Sequence, residues 1–104
     1  MNLSTTNDVV GKKTIEFKGF VKGSTVHSKN FARDIGAGLK TLVGGEIKAY
    51  TEMMNEARQI AIGRMVKEAE GLGANAIVGV RLESSTVMAG ASEIIAYGTA
   101  VRVE

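Results

Sequence analysis

The amino-acid sequence predicts an α+β subunit, a small antiparallel sheet carrying one long amphipathic helix and one short helix. Three observations carry that prediction. A helical apolar period runs through residues 46–71, apolar and polar residues alternate over 12–28, and two strand-like segments, 75–88 and 92–103, flank Ala89-Gly90-Ala91. The chain has 104 residues, 44% of them hydrophobic and 23% charged. That is the profile of one globular domain over 1–104, with no linker, repeat or low-complexity tract.

In the first strand, KKTIEFKGFVKGSTVHS over 12–28, Ile15, Phe17 and Val21 share one parity and Glu16, Lys18 and Lys22 fall on the other. Gly19 and Gly23 inside it signal bends or a close backbone approach. Asn30 is then a helix N-cap, and Phe31, Ile35 and Leu39 recur every four residues in a short helix to about Leu42. Gly44-Gly45 closes it.

From Glu46 to Gly71, Ile47, Tyr50, Met54, Ala57, Ala61, Met65 and Ala69 trace a stripe of period 3.6 that continues to Leu72. Lys48 with Glu52, Arg64 with Glu68, and Lys67 with Glu70 stand at helical pair spacing. Gly71 and Gly73 stop the helix. The last two segments form a hairpin in which Met88 opposes Ser92, Val80 opposes Ala100, Leu82 opposes Gly98 and Val78 opposes Arg102. That register puts Val78, Val80 and Leu82 on one face with the small residues Ala96, Gly98 and Ala100, where a helix can approach closely. The other parity, Ile77, Val87, Ile95, Tyr97, Val101 and Val103, is also largely apolar. One long helix covers only one face, so a closed homo-oligomer is expected, with sheet faces or edges meeting between copies.

Composition excludes several chemistries. With no cysteine there are no disulfides, thiolate metal ligands, iron–sulfur clusters or cysteine nucleophiles. No segment approaches the roughly 18 apolar residues of a membrane span. The first twenty residues hold Asp8, Lys12, Lys13, Glu16 and Lys18 and no apolar run of signal-peptide length, so a cytoplasmic chain is expected. The net charge of +2 divides into +4 over residues 1–45 and −2 over 46–104. Without tryptophan, and with two tyrosines and three phenylalanines, the chain lacks the dense basic and aromatic stripe that nucleic-acid binding wants.

His27 is the sole histidine. It is a metal ligand, an acid or base, or one of a ring of identical imidazoles; otherwise it is a strand-end histidine bonded to nearby backbone. Glu52 and Glu56 lie one helical turn apart, a spacing that suits a hard cation or a solvated charged face. Glu68 and Glu70 diverge. Gly36 to Thr41 lacks the GxxxxGK[ST] pattern of a phosphate loop, and no GxSxG elbow accompanies the many hydroxyls. Arg81, Glu83, Glu93 and Tyr97 share a parity on the hairpin, as the lining of a cavity between subunits or as cross-strand bridges.

The run Val43-Gly44-Gly45-Glu46, the segments Tyr50-Thr51-Glu52-Met53 and Glu56-Ala57-Arg58, and Leu72-Gly73-Ala74-Asn75-Ala76-Ile77-Val78-Gly79-Val80-Arg81 resemble the YbjQ-like family. Phe31-Ala32-Arg33-Asp34-Ile35 and Tyr97-Gly98-Thr99-Ala100-Val101 extend the resemblance over nearly the whole chain. This is a bacterial family of unknown function with a heavy-metal-binding label. The resemblance implies a dodecin-like subunit in a homopentameric ring. The expected function is then a non-catalytic binding module that takes a metal ion, a divalent one among the candidates, or a small ligand between subunits, with His27 as the metal residue. Met53, Met54 and Met65 fit the helix core better than a copper site. The alternatives are an enzyme whose site is composed between subunits from Arg81, Glu83, Glu93 or Tyr97, and a scaffold whose Lys12, Lys18 and Lys22 face an acidic partner protein.

Overall fold

A computed structural model describes residues 1–28, 45–88 and 91–104. The short helix expected over 30–42 and the Ala89-Gly90 pair lie outside these residues. The elements are β1 (Asn2–Leu3), β2 (Thr14–Ser28), α1 (Gly45–Gly71), β3 (Ala76–Met88) and β4 (Ala91–Val103). They form one four-stranded sheet in the order β1-β3-β4-β2, with α1 lying across one side.

The sheet is mixed, not wholly antiparallel, because β1 pairs with β3 in parallel, Asn2 beside Ala76 and Leu3 beside Ile77. Backbone groups make this addition. The Asn2 amide donates to the Asn75 carbonyl, Ser4 to Ile77, Gly79 to Thr6 and Val80 to Ser4, all between 2.8 and 3.1 Å. The opposite end of the sheet is closed by Lys13 and Glu104, which exchange two backbone bonds of 2.9–3.0 Å. Asn75 acts as one more strand residue, its side chain donating to the Val103 carbonyl at 2.9 Å and accepting from the Val103 amide at 2.7 Å.

The long helix forms where its period places it and ends in a Schellman turn. Gly73, at φ +80°, donates to the Glu70 carbonyl, and Ala74 donates to Ala69. The Ile47 and Tyr50 side chains at the start of the expected stripe lie outside the described residues; among the described ones Met53, Ala57, Ala61, Met65 and Ala69 are buried, a row of period four, with Met53 in place of Met54. Leu72, past the helix end, is 43% exposed. Such a row runs obliquely across a helix, by about 26° from its axis, and so matches a twisted sheet. Three of its five members are alanines, which brings the helix axis close. The tightest point is Gly23: a Cβ there would stand 2.2 Å from the Met65 nitrogen and 2.3 Å from the Ala61 oxygen. Helix backbone rests on strand backbone. Either side of that contact, Arg64 donates to the Ser24 carbonyl at 2.6 Å and the Lys22 amide donates to Glu68 at 3.4 Å. Arg64 and Glu68 therefore reach to β2 instead of each other, and among the described residues the one ion pair joins Lys18 to Glu16 at 2.7 Å.

Two bulges set which residues meet the helix. In β2 the register against β4 slips between Phe17 and Gly19, where Gly19 takes φ +135°. Val21 then faces the helix while Phe17 and Phe20 face away, so Phe17 and Val21 do not share a face as simple alternation predicts. In β3 the slip lies between Val78 and Arg81, around Gly79 at φ +62°. The hairpin register is accordingly different from the one expected: Met88 opposes Ala91, Leu82 opposes Ala96 and Val78 opposes Thr99. Ile77, Val80, Ile94, Ala96 and Ala100 pack with the helix, whereas Ala76, Val78, Val101 and Val103 form a second cluster under Val9 on the far side.

The Gly23 contact is testable. Gly23→Ala is expected to cost at least about 3 kcal/mol, since neither atom facing the new methyl group belongs to a movable side chain. Gly63→Ala, at a helical position with nothing within 4 Å, is expected to gain up to about 1 kcal/mol. Urea denaturation of the two variants against the parent chain checks both signs.

Candidate functional site

The side of the sheet turned away from α1 is an open surface built from β2, β4 and β3. Its central row places Lys22, Tyr97 and Arg81 side by side, with Tyr97 directly across from both cations. The Tyr97 hydroxyl donates to Glu83 Oε1 at 2.8 Å. Phe20 tilts against Tyr97, the ring centroids 6.3 Å apart at 48°. Arg81 is held from outside the row: its Nη1 donates to the Thr5 and Val80 carbonyls, both at 2.9 Å. The N-terminal segment thus fixes the position of this guanidinium.

Three of the four hairpin residues singled out by parity, Arg81, Glu83 and Tyr97, come together in this way. Glu93 lies further along β4, opposite Ser85 and Val26. Their arrangement is a cross-strand hydrogen bond on an open face. Phe20 and Lys22 join them from β2, on the parity opposite Val21, and the slip before Gly19 brings Phe17 onto the same face. The sequence signal of that slip was Gly19 itself. The face is also strongly apolar: Phe17 is 72% exposed, Phe20 62% and Val26 61%.

Hydrogen bonding to Glu83, desolvation and the Glu83 charge together raise the Tyr97 pKa above its ordinary 10.0, against a smaller opposing pull from Arg81. At the other end of β2, the hydrogen bond and charge of Lys18 hold Glu16 below the usual carboxylate value, with burial opposing.

The remaining candidates stay apart. His27 lies near the end of β2, its backbone paired with Ser92. Glu52 and Glu56 are exposed on α1, and nearby Arg58 donates to Asn55 at 2.8 Å. Gly36 to Thr41 lies outside the described residues. Gly71 to Ala76 is the helix stop and strand start. Met53 and Met65 are core residues. Among the described residues no three histidine, aspartate or glutamate side chains converge, so one copy of the chain does not itself present a metal-ligand set there. No described helix is long and apolar enough to cross a membrane.

Comparisons with known proteins agree on the family. A family model described as "Putative heavy-metal-binding" (YbjQ) matches residues 1–104. UPF0145 proteins from Halalkalibacterium halodurans and Clostridium perfringens are each 62% identical over 104 residues, covering 100% of this chain and 98% of the relative. One from Thermotoga maritima is 58% identical over the same span. Among solved structures, a protein of unknown function of the DUF74 family from Pediococcus pentosaceus superposes with a TM-score of 0.66 at 18% identity, over 100% of this chain and 98% of that one. That likeness establishes the shared fold.

Tyr97 provides the check on this geometry. A phenol whose folded pKa is raised stabilises the fold fully below its unfolded pKa, and that contribution is lost as pH rises through the folded value. In a Tyr50→Phe background, the midpoint of Tyr97 phenolate absorbance is expected to lie above the ordinary 10.0, and Glu83→Gln is expected to bring it down. An unchanged midpoint would show that the Tyr97–Glu83 bond does not persist in solution.

Proposed function

This chain belongs to the YbjQ family, and from that premise together with its open sheet we propose that it is a cytoplasmic, non-catalytic binding module that assembles as a homopentameric ring of dodecin-like subunits. The ring takes up a metal ion or small ligand at a site shared between copies.

The observation that carries the reading is the amount of uncovered surface. The chain exposes 6802 Å², about 1,200 Å² more than a compact monomer of its mass. Its radius of gyration is 16.8 Å, against about 13 Å for a compact chain of this length. Part of the sheet's outer face carries Phe17, Phe20 and Val26 into solvent. Large apolar side chains exposed together on one face mark an interaction surface. Divided between the two contacts that each copy of a ring makes, the excess would supply about 1,200 Å² per contact, the lower end of the standard range.

The same assembly answers the ligand question. A chain with one histidine and no cysteine offers a metal few strong donors, whereas a ring repeats each donor once per copy. His27 is the residue assigned to that role, five imidazoles standing where one chain provides one. Nothing in this reading asks the residues for catalysis.

Native mass spectrometry before and after adding zinc, copper and nickel tests it. The expected spectrum is a pentamer that gains metal in a fixed ratio to the ring, and that remains a pentamer but loses the metal in His27→Ala. A pentamer that stays bare in all three metals would end the metal assignment, and a monomer would end the ring.

A further inference from the structure

An odd-numbered ring cannot be built from two-fold contacts, so each copy must present two different surfaces that fit each other. The sheet has two different free margins. On one side is β2, the edge strand. On the other is β3 beyond Val80, where the N-terminal segment stops: its backbone bonds reach Val80, and the Arg81 side chain makes its last contact, at Thr5. Resting on the ring reading above, we propose that the Arg81–Met88 margin of β3 pairs in parallel with the outer half of β2 of the neighbouring copy, from Lys22 onward, making one continuous sheet around the ring.

Three features of the molecule carry this. The β3 margin is lightly protected as an edge, with two charged residues, Arg81 and Glu83, and a register slip between Thr86 and Met88. Residues 81–88 are all exposed, contain no lysine or proline, and include Leu82 at 44%, Val87 at 51% and Met88 at 67% exposure. The helix is offset. It packs chiefly on β2 and β4 and meets β3 near Ile77 and Val80, so among the described residues it leaves the helix side of β3 beyond Arg81 uncovered, while Arg64 and Glu68 reach the edge groups of β2. A neighbouring β3 set beside β2 would slide beneath that overhang, and its Leu82 would gain the cover that its own helix does not give. Arg64 and Glu68 are exposed side chains standing in for a strand partner at Ser24 and Lys22, and they can give way to one at small cost.

The residues also match in register. β2 and β3 both run antiparallel to β4, so copies related by an axis along the strands meet with β2 and β3 parallel. Aligning Glu83 with Lys22 places Ser85 beside Ser24 on the outer face and Thr86 beside Thr25 on the helix face, and brings Val87, at the register slip of β3, level with Val26. The tripeptide Ser-Thr-Val occurs at both 24–26 and 85–87. Opposite charges then meet and hydroxyls face hydroxyls, each favourable across adjacent strands.

The absence of cysteine makes a clean test. Ser24→Cys and Ser85→Cys are made singly and together, with Val26→Cys and Val87→Cys as a second set in case the first perturbs folding. Each protein is treated with a short bis-maleimide and run on a denaturing gel. The double variants are expected to give a ladder ending at the full ring. Each single variant should give no covalent dimer, and an equimolar mixture of two refolded singles should give covalent dimers. Dimerisation of Ser85→Cys alone would show that β3 meets β3, and overturn the proposal. So would the lack of a ladder in both sets of double variants while native mass spectrometry still counts a ring, which leaves the ring standing and moves its seam elsewhere. A wild-type chain that is monomeric by the same mass measurement overturns the ring and the seam together.

Discussion

The contact between the α1 backbone and Gly23 governs much else in this fold. With backbone atoms meeting at one point, the helix cannot slide along β2 or rise from it without losing that fit, and the buried row that holds Met65 is otherwise small at Ala57, Ala61 and Ala69. The bonds from Arg64 to Ser24 and from Lys22 to Glu68 bracket the same point, so they select the helix's position along the strand more than they add to its stability. Because β2 is an edge strand, a helix anchored there lies to one side of the sheet. The exposure of β3 beyond Val80 follows from that anchor.

The two bulges act as switches of face. Ahead of Gly19, one residue of β2 is left without a partner, and every side chain beyond it changes side relative to simple alternation. Around Gly79 the same happens in β3. The helix side receives Val21, Val80 and Ala96, which suit a close helix. The opposite side receives Phe17, Phe20 and Tyr97, large rings that no part of the described chain covers fully. A strand with perfect alternation would have mixed the two sets. Glycine is the residue that allows each reversal, since both positions take a positive φ.

These reversals also explain what could be read from the sequence. The helix over Gly45–Gly71 was legible because 27 residues of period near 3.6, with a single interior glycine, leave few alternatives. The hairpin was legible as two strands about a small-residue turn, but its pairing was not, since a slip that grows from one residue at Met88 to three at Val78 depends on the bulges and leaves composition unchanged. β1 was illegible for a different reason. It spans two residues and is held by backbone bonds alone, which leave no side-chain pattern. At the candidate site, parity alone brought Arg81, Glu83 and Tyr97 together, while Phe20 and Lys22 required the geometry of a neighbouring strand that is remote in sequence.

A chain with one imidazole, no thiol and scattered carboxylates has little chemistry to concentrate within itself. Folding can gather only what the sequence contains, and among the described residues it gathers an aromatic ring pair, one cross-strand hydrogen bond and two cations on an open face. Association is not bound by that limit, because symmetry multiplies every group by the number of copies at no cost in sequence length. In the proposed ring a neighbour completes the sheet that the subunit's own helix leaves partly uncovered, and binding is expected of the assembly, where each scarce donor is repeated, more than of the single subunit.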